Sequence, residues 1–245
     1  EIKKNLINEF EPVNDHAIFA SNTSSLSIEE MARSSKHPEK VIGMHFFNPP
    51  YKMGLVEVVK GPQTSEETVA TVVALAKQLG KTPIVVKDRP GFLVNRILMP
   101  YLNDAARLLS DGASIADIDS AMLDYGMAMG PLKVIDLVGF DIAKEVADIL
   151  YRAFGERMKP ADILPRVLES GRLGRKSGKG FYIYRGKKEI PDEAFARKFQ
   201  KHGARPLNKT EIARRLVDVM RQEAKLCLNE GVVRSAGELN LALIL

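Results

Sequence analysis

Along the first ninety residues the apolar positions switch repeatedly between two periods. Ile2, Leu6, Phe10 and Val13 recur at helical spacing, and Ala17, Ile18, Phe19 and Ala20 then read as a short buried strand. Ser27 with Glu30 three residues on is a capping box that opens a short helix. Residues 41–47 and 55–59 are two further apolar runs of strand length. Thr64 with Glu67 predicts a second capping box. The helix behind it carries Val69, Val72, Val73, Ala76 and Leu79 on one face and stops at Gly80. Residues 82–86 make a fourth strand. Strands interleaved with helices indicate an α/β sheet, of which this stretch supplies a part.

After Asp88-Arg89-Pro90-Gly91 the helical period takes over. Residues 92–110 read as one long helix that buries Ile97, Leu98, Tyr101, Ala105 and Leu108 and ends at Asp111-Gly112. Ser114 with Asp117 caps the next helix, and Gly130-Pro131 opens another that runs towards Phe154 with a break near Gly139. A short helix spans roughly 162–170, and Phe181 to Tyr184 is extended. The expected division is residues 1–89, 90–184, a polar basic connection over 185–208, and a last segment, 209–245. That last segment echoes the long helix at an offset of 119: Arg96 faces Arg215, Asp104 faces Glu223, Ala105 faces Ala224 and Gly112 faces Gly231. A truncated second copy of the helical region and chance likeness of two amphipathic helices both fit this echo.

Composition adds boundaries. An apolar fraction of 45% with 27% charged residues is that of an ordinary globular chain. One cysteine excludes a disulfide framework and fits a reducing, cytoplasmic compartment. No apolar run reaches the ~18 residues of a membrane span. The net charge of +5 is concentrated: residues 172–188 hold seven basic residues and no acidic one. Without a helical stripe this is no nucleic-acid surface. A solvated loop and a site for an anionic tail are the two readings of it. The absence of a starting Met and of a signal peptide, and the apolar ending, lead us to expect a piece of a longer protein.

The chemistry-bearing residues lie in the first part of the chain. There is no Gly-x-Gly-x-x-Gly run, no P-loop and no His-Glu-x-x-His, and the four histidines do not cluster, so a metal site is not expected. Gly43-Met44-His45-Phe46-Phe47-Asn48-Pro49 precedes Leu55-Val56-Glu57-Val58-Val59. Two adjacent strands can set Glu57 against His45, and a His–carboxylate pair fixes the imidazole tautomer and raises its basicity. A structural histidine beside a water-facing glutamate fits the same spacing. Ser21-Asn22-Thr23-Ser24-Ser25 follows the first strand, where open α/β sheets line their ligand crevice; helix capping also explains such a loop. Asn95 falls in the first turn of the long helix.

Ser-Asn-Thr-Ser-Ser, His-Phe-Phe-Asn-Pro, Leu-Val-Glu-Val and Pro-Gly-Phe-Leu-Val-Asn-Arg, in this order, closely resemble the NAD-dependent 3-hydroxyacyl-CoA dehydrogenases. The likeness continues through Met129-Gly130-Pro131 and Gly174-Arg175-Lys176-Ser177-Gly178-Lys179-Gly180-Phe181-Tyr182. The helical echo after a basic connection is similar to the multifunctional α-subunit of fatty-acid β-oxidation complexes, in which an enoyl-CoA hydratase domain precedes the dehydrogenase. The resemblance implies an α/β fold: the C-terminal half of a Rossmann-like sheet, then an all-α dehydrogenase C-terminal domain and the start of a second helical copy. It implies oxidation of an acyl-CoA substrate with NAD as cofactor, and a thiolase β-subunit as partner. It makes His45 the catalytic base and Glu57 its orienting carboxylate. Ser24 and Asn95 become substrate-binding residues, with Ser24, Asn48 and Lys3 beside the cofactor. The glycine-rich turn that binds pyrophosphate is absent, so the isolated chain is expected to be inactive, to bind NAD very weakly and to self-associate. A hydroxyacid dehydrogenase with a helical substrate domain and a non-catalytic association module are the alternatives.

Overall fold

The computed structural model describes residues 2–14, 16–24, 26–203 and 207–244. Ser25 of the Ser-Asn-Thr-Ser-Ser run, residues 204–206 of the basic connection, and the two terminal residues lie outside them. By contacts the chain divides into two compact units, Glu1–Arg96 with Ala224–Leu245, and Ile97–Glu223.

The first unit holds a four-stranded mixed sheet in the order β1 (Phe19–Ser21), β2 (Val41–Phe46), β3 (Leu55–Lys60), β4 (Thr82–Lys87). β1 is parallel to β2, β2 antiparallel to β3, and β3 parallel to β4. Both inner strands read as near-continuous apolar runs because both of their faces are buried. Ile42, Met44, Val56 and Val58 pack against Val69, Val72 and Ala76 of α3 (Glu66–Gln78). Beneath α2 (Ile28–Ala32) a side chain at position 43 has no room. A Cβ on Gly43 would stand 2.7 Å from Val59 Cβ and 3.0 Å from Ile28 Cδ1. α1 (Ile2–Phe10) buries Ile7 and leaves Ile2 and Phe10 exposed.

Three local expectations need correction. Val13 lies beyond α1 and is exposed, and β1 starts two residues later than the apolar run suggests. The cap of α3 is Ser65, whose Oγ accepts from the Thr68 N–H. Thr64 turns inward instead, donating to the Val41 carbonyl and accepting from the Gly61 N–H. Ser27 does cap α2, its Oγ accepting from the Glu30 N–H.

The second unit is helical, built from most of α4 (Val94–Ser110), with α5 (Ile115–Tyr125), α6 (Pro131–Val138), α7 (Phe140–Phe154) and α8 (Ile163–Glu169). The break at Gly139 is real: its φ of +97° separates α6 from α7. The basic connection is more ordered than its composition suggests. β5 (Tyr182–Arg185) and β6 (Lys188–Pro191) form a two-residue hairpin through Gly186, whose φ is +61°. The four-residue turn α9 (Glu193–Ala196) then sends Phe195 and Ala196 into the core beside Leu216 of α10 (Lys209–Asn229). Of these, β5 falls on the extended segment expected from sequence, whereas β6 and α9 have apolar runs too short to signal an element. The final helix is α11 (Ala236–Ile244), in the first unit. Among the described residues no helix is long and apolar enough to cross a membrane.

Candidate active site

The antiparallel register of β2 and β3 puts His45 directly opposite Glu57. Such neighbours on one sheet face can touch, and these do: His45 Nδ1 lies 2.7 Å from Glu57 Oε2. Neither is a surface group, with His45 3% and Glu57 0% exposed. The water-facing glutamate is thereby excluded. Glu57 is satisfied on its other oxygen as well. Oε1 accepts from the Leu93 and Val94 N–H groups, each at 3.0 Å, where α4 begins. Helix N-termini offer unpaired N–H groups and a positive dipole end to an anion. A buried carboxylate with three donors has the partners its burial demands.

A carboxylate only accepts, so the Nδ1 of His45 carries the proton of this bond, and in the neutral imidazole Nε2 keeps its lone pair. Ser24 Oγ lies 3.1 Å from that Nε2. Phe47 (ring centroid 4.6 Å away) and Phe92 (5.6 Å, edge-on) wall the imidazole. Phe92 has a φ of +51°, a left-handed backbone that is unusual for a bulky residue. It follows Gly91 at +75°, and together they turn the chain so that the next two N–H groups meet Glu57.

The Ser24 loop is tied down on four sides. Asn22 Oδ1 accepts from the Phe46 N–H, Thr23 Oγ1 accepts from the Leu26 N–H, and Asn95 Nδ2 donates to the Ser24 carbonyl at 3.3 Å. Asp88 Oδ2 accepts from both Ser27 Oγ and the Glu29 N–H. His45, Glu57, Ser24 and Asn95 are therefore gathered in one place. Lys3 donates to Ser21 Oγ at 3.0 Å, three residues before Ser24, and partial burial holds its ammonium below the usual lysine range. Asn48 is exposed in the turn after β2, with a cis peptide bond to Pro49. Reading the sequence missed the backbone donors of Leu93 and Val94, the wall of Phe47 and Phe92, and the anchors Asn22 and Asp88. Of these, Phe47, Phe92 and Asn22 lie inside runs singled out in the sequence, whereas the backbone donors carry no signal.

A buried His–carboxylate pair with a hydroxyl on the second imidazole nitrogen, set on a mixed α/β sheet, is an arrangement that can move a proton. Residues 1–89 match the model of the 3-hydroxyacyl-CoA dehydrogenase NAD-binding domain, and residues 91–184 that of the 3-hydroxyacyl-CoA dehydrogenase C-terminal domain. The chain belongs to the 3-hydroxyacyl-CoA dehydrogenase family. It is 45% identical over 236 residues to the fatty acid oxidation complex subunit alpha of Vibrio parahaemolyticus serotype O3:K6, covering 96% of this chain and 34% of that protein. It is 49% identical over 218 residues to the subunit of that name from Vibrio vulnificus, covering 89% and 31%. The chain thus spans about a third of the length of these relatives. Among solved structures it is similar to 3-hydroxybutyryl-CoA dehydrogenase from Escherichia coli K12, with a TM-score of 0.84 and 28% identity over 99% of this chain and 68% of that one. It also resembles (S)-3-hydroxybutyryl-CoA dehydrogenase from Ralstonia eutropha, with a TM-score of 0.73 and 43% identity over 75% and 66%.

Proposed function

We propose that the natural protein oxidises (S)-3-hydroxyacyl-CoA to 3-oxoacyl-CoA with NAD, using His45 as the general base. The observation that carries this reading is the bridged array Glu57–His45–Ser24, at 2.7 and 3.1 Å. His45 Nε2 takes the proton of the substrate's 3-hydroxyl, the position Ser24 Oγ now addresses. Glu57 stabilises the imidazolium that forms and keeps the ring from rotating. Asn95 and Ser24 orient the hydroxyl and carbonyl groups, which converts proton transfer into a step between pre-aligned partners.

NAD, when bound, supplies the hydride acceptor. The parallel pair β1 and β2 carries Ser21 to Ser24 and the turn holding Asn48 on the ends of neighbouring strands, with Lys3 bonded to Ser21. These polar groups fit the nicotinamide end of such a cofactor.

Four further points belong to this reading. Hydratase activity elsewhere in the protein fits the fatty acid oxidation complex named for the relatives, and their designation as a complex's subunit alpha supports a partner subunit, which the family resemblance makes a thiolase. A cytoplasmic setting rests on the single, buried cysteine. Self-association of the isolated chain rests on the exposed apolar residues of α1. The second helical copy is supported by ion pairs that repeat at the offset of 119. Arg215 bonds Asp104 at 2.7 and 2.8 Å and Asp111 at 3.3 Å, and the counterparts of Arg215 and Asp111, Arg96 and Glu230, bond at 2.7 and 2.8 Å. The test is oxidation of 3-hydroxybutyryl-CoA by the natural full-length protein, followed as NADH absorbance. Turnover is expected, and His45→Ala is expected to abolish it. A wild-type protein that leaves this and longer 3-hydroxyacyl-CoAs untouched would overturn the reading.

A further inference from the structure

Arg96 follows Asn95 in the first turn of α4, and its residue is 0% exposed. A guanidinium fully removed from water needs partners for its charge. It makes a two-pronged pair with Glu230, Nη1 to Oε2 at 2.7 Å and Nη2 to Oε1 at 2.8 Å, across 134 residues of sequence. Both charges sit where a helix dipole disfavours them. Arg96 stands in the first turn of α4, and Glu230 directly follows the last residue of α10. Helix propensity therefore does not account for either residue. Fork-to-carboxylate geometry does, because it fixes direction as well as distance.

Glu230 is itself held in place. Gly231, with a φ of +63°, closes the end of α10, and its N–H bonds the Leu228 carbonyl. Next along the chain, Val233 bridges to Val86, and the Val232 carbonyl accepts from the Lys87 N–H at the end of β4. The pair thus ties the first turn of α4 to a segment stitched onto the sheet. That same turn carries the Leu93 and Val94 N–H groups on Glu57 and the Asn95 amide on the Ser24 loop. The Arg96 N–H closes the turn on the Gly91 carbonyl at 3.0 Å.

We propose that Arg96 and Glu230 are positioning residues for the His45–Glu57 pair, setting the first turn of α4 so that its N–H groups clamp the Glu57 carboxylate. The inference rests on the dehydrogenase reading for its consequence in turnover, and on geometry alone for its effect on His45.

Two readouts separate a positioning role from a merely structural one. On the 245-residue chain, the low-field proton resonance of His45 Nδ1–H reports the bond to Glu57. Glu230→Gln, which keeps shape and loses charge, is expected to move that resonance upfield or broaden it away. In the natural full-length protein the same variant is expected to lower kcat roughly tenfold with KM for 3-hydroxyacyl-CoA little changed, since small misplacements of a catalytic group cost rate. Glu230→Asp, which keeps the charge, is expected to recover part of both effects and supplies the same readouts if Glu230→Gln does not fold. A lowered melting temperature in the folded variants, with the His45 resonance and kcat at wild-type values, would overturn the proposal. If the wild-type protein does not turn over 3-hydroxyacyl-CoA, the dehydrogenase reading fails by itself. The His45 resonance then still decides the role of Arg96 and Glu230.

Discussion

Each unit of this protein buries carboxylates in the same way, yet of Glu57, Asp119 and Asp136 only Glu57 has a side-chain partner that reaches on to a further polar group. In the first unit Glu57 accepts two successive N–H groups at the start of α4 and one bond from an imidazole. In the second, Asp119 accepts the Leu132 and Lys133 N–H groups at the start of α6 and the Tyr182 hydroxyl. Asp136 accepts the Phe181 and Tyr182 N–H groups and the Tyr184 hydroxyl. Two backbone donors and one side-chain donor recur three times. The third partner makes the difference. His45 has a second nitrogen that faces Ser24, so the carboxylate's influence is passed on to an accessible hydroxyl. A tyrosine has a single oxygen, and Tyr182 spends it on Asp119. Burial of a carboxylate marks a site only when its partner has somewhere further to reach.

The largest expected contrast is in turnover. Glu57→Gln in the natural full-length protein is expected to lower kcat by ~10²-fold or more, the scale of general base catalysis, with KM changing less. Asp136→Asn is expected to leave kcat within about a factor of two, since Asp136 is bonded to none of the groups that hold His45 or Glu57. Steady-state kinetics of the two variants side by side would break the comparison if both lost turnover equally.

Stability should show the reverse order. A Cβ at Gly180 would stand 2.1 Å from Asp136 Oδ1, and one at Gly174, where φ is +85°, would stand 2.2 Å from the Asp136 carbonyl oxygen. Gly180→Ala is therefore expected to cost about 1–3 kcal/mol, the range for overpacked cores, read as a fall in the urea midpoint. The His45 resonances should stay where they are.

A smaller effect follows from acidity. Burial pushes the Asp136 carboxyl up from 3.8 to about 6, against the bonds from Tyr182, Phe181 and Tyr184 and with help from the Asp119 charge. Burial raises Asp119 too. Between the two values the folded chain holds a proton that the unfolded chain has released. The stability from this group is then complete below about 3.8 and lost as pH rises through about 6. Urea unfolding at a series of pH values should show a stability difference between wild type and Asp136→Asn that shifts by about 2 kcal/mol between pH 4 and 7. A difference that stays flat with pH would remove Asp136 from the pH response.

The least effect is expected at the basic loop. Lys176 pairs with Asp141 and Arg175 reaches towards Glu189, both at the exposed surface. Replacing Arg175, Lys176 and Lys179 together with Gln should leave KM for acyl-CoA within a factor of about two, because exposed charges contribute little individually. A large, salt-sensitive rise in KM would instead make the loop an anchor for the CoA phosphates.

How much of this was legible follows from the kind of signal each part carries. β2 and β3 were readable because strands buried on both faces are nearly all apolar, and Glu57 stood out as the exception within such a run. Its pairing with His45 needed only the register of neighbouring strands. The N–H groups of Leu93 and Val94 have no sequence signature, since any residue but proline supplies them. Phe92 at positive φ breaks the rule by which glycine marks such positions. Gly174 and Gly180 were read within a basic surface loop, whereas the structure packs both against Asp136. β6 and α9 were missed because their apolar stretches, Ile190-Pro191 and Ala194 to Ala196, are short and bounded by charges.

Glu57 is expected to hold His45 with its Nδ1 protonated and its Nε2 free to take a proton. Long-range 1H–15N spectra of the histidine-labelled chain at neutral pH measure this directly. A protonated, pyrrole-type Nδ1 and an unprotonated, pyridine-type Nε2 are expected for His45, with Glu57→Gln disturbing that assignment. A neutral His45 carrying its proton on Nε2 would contradict it.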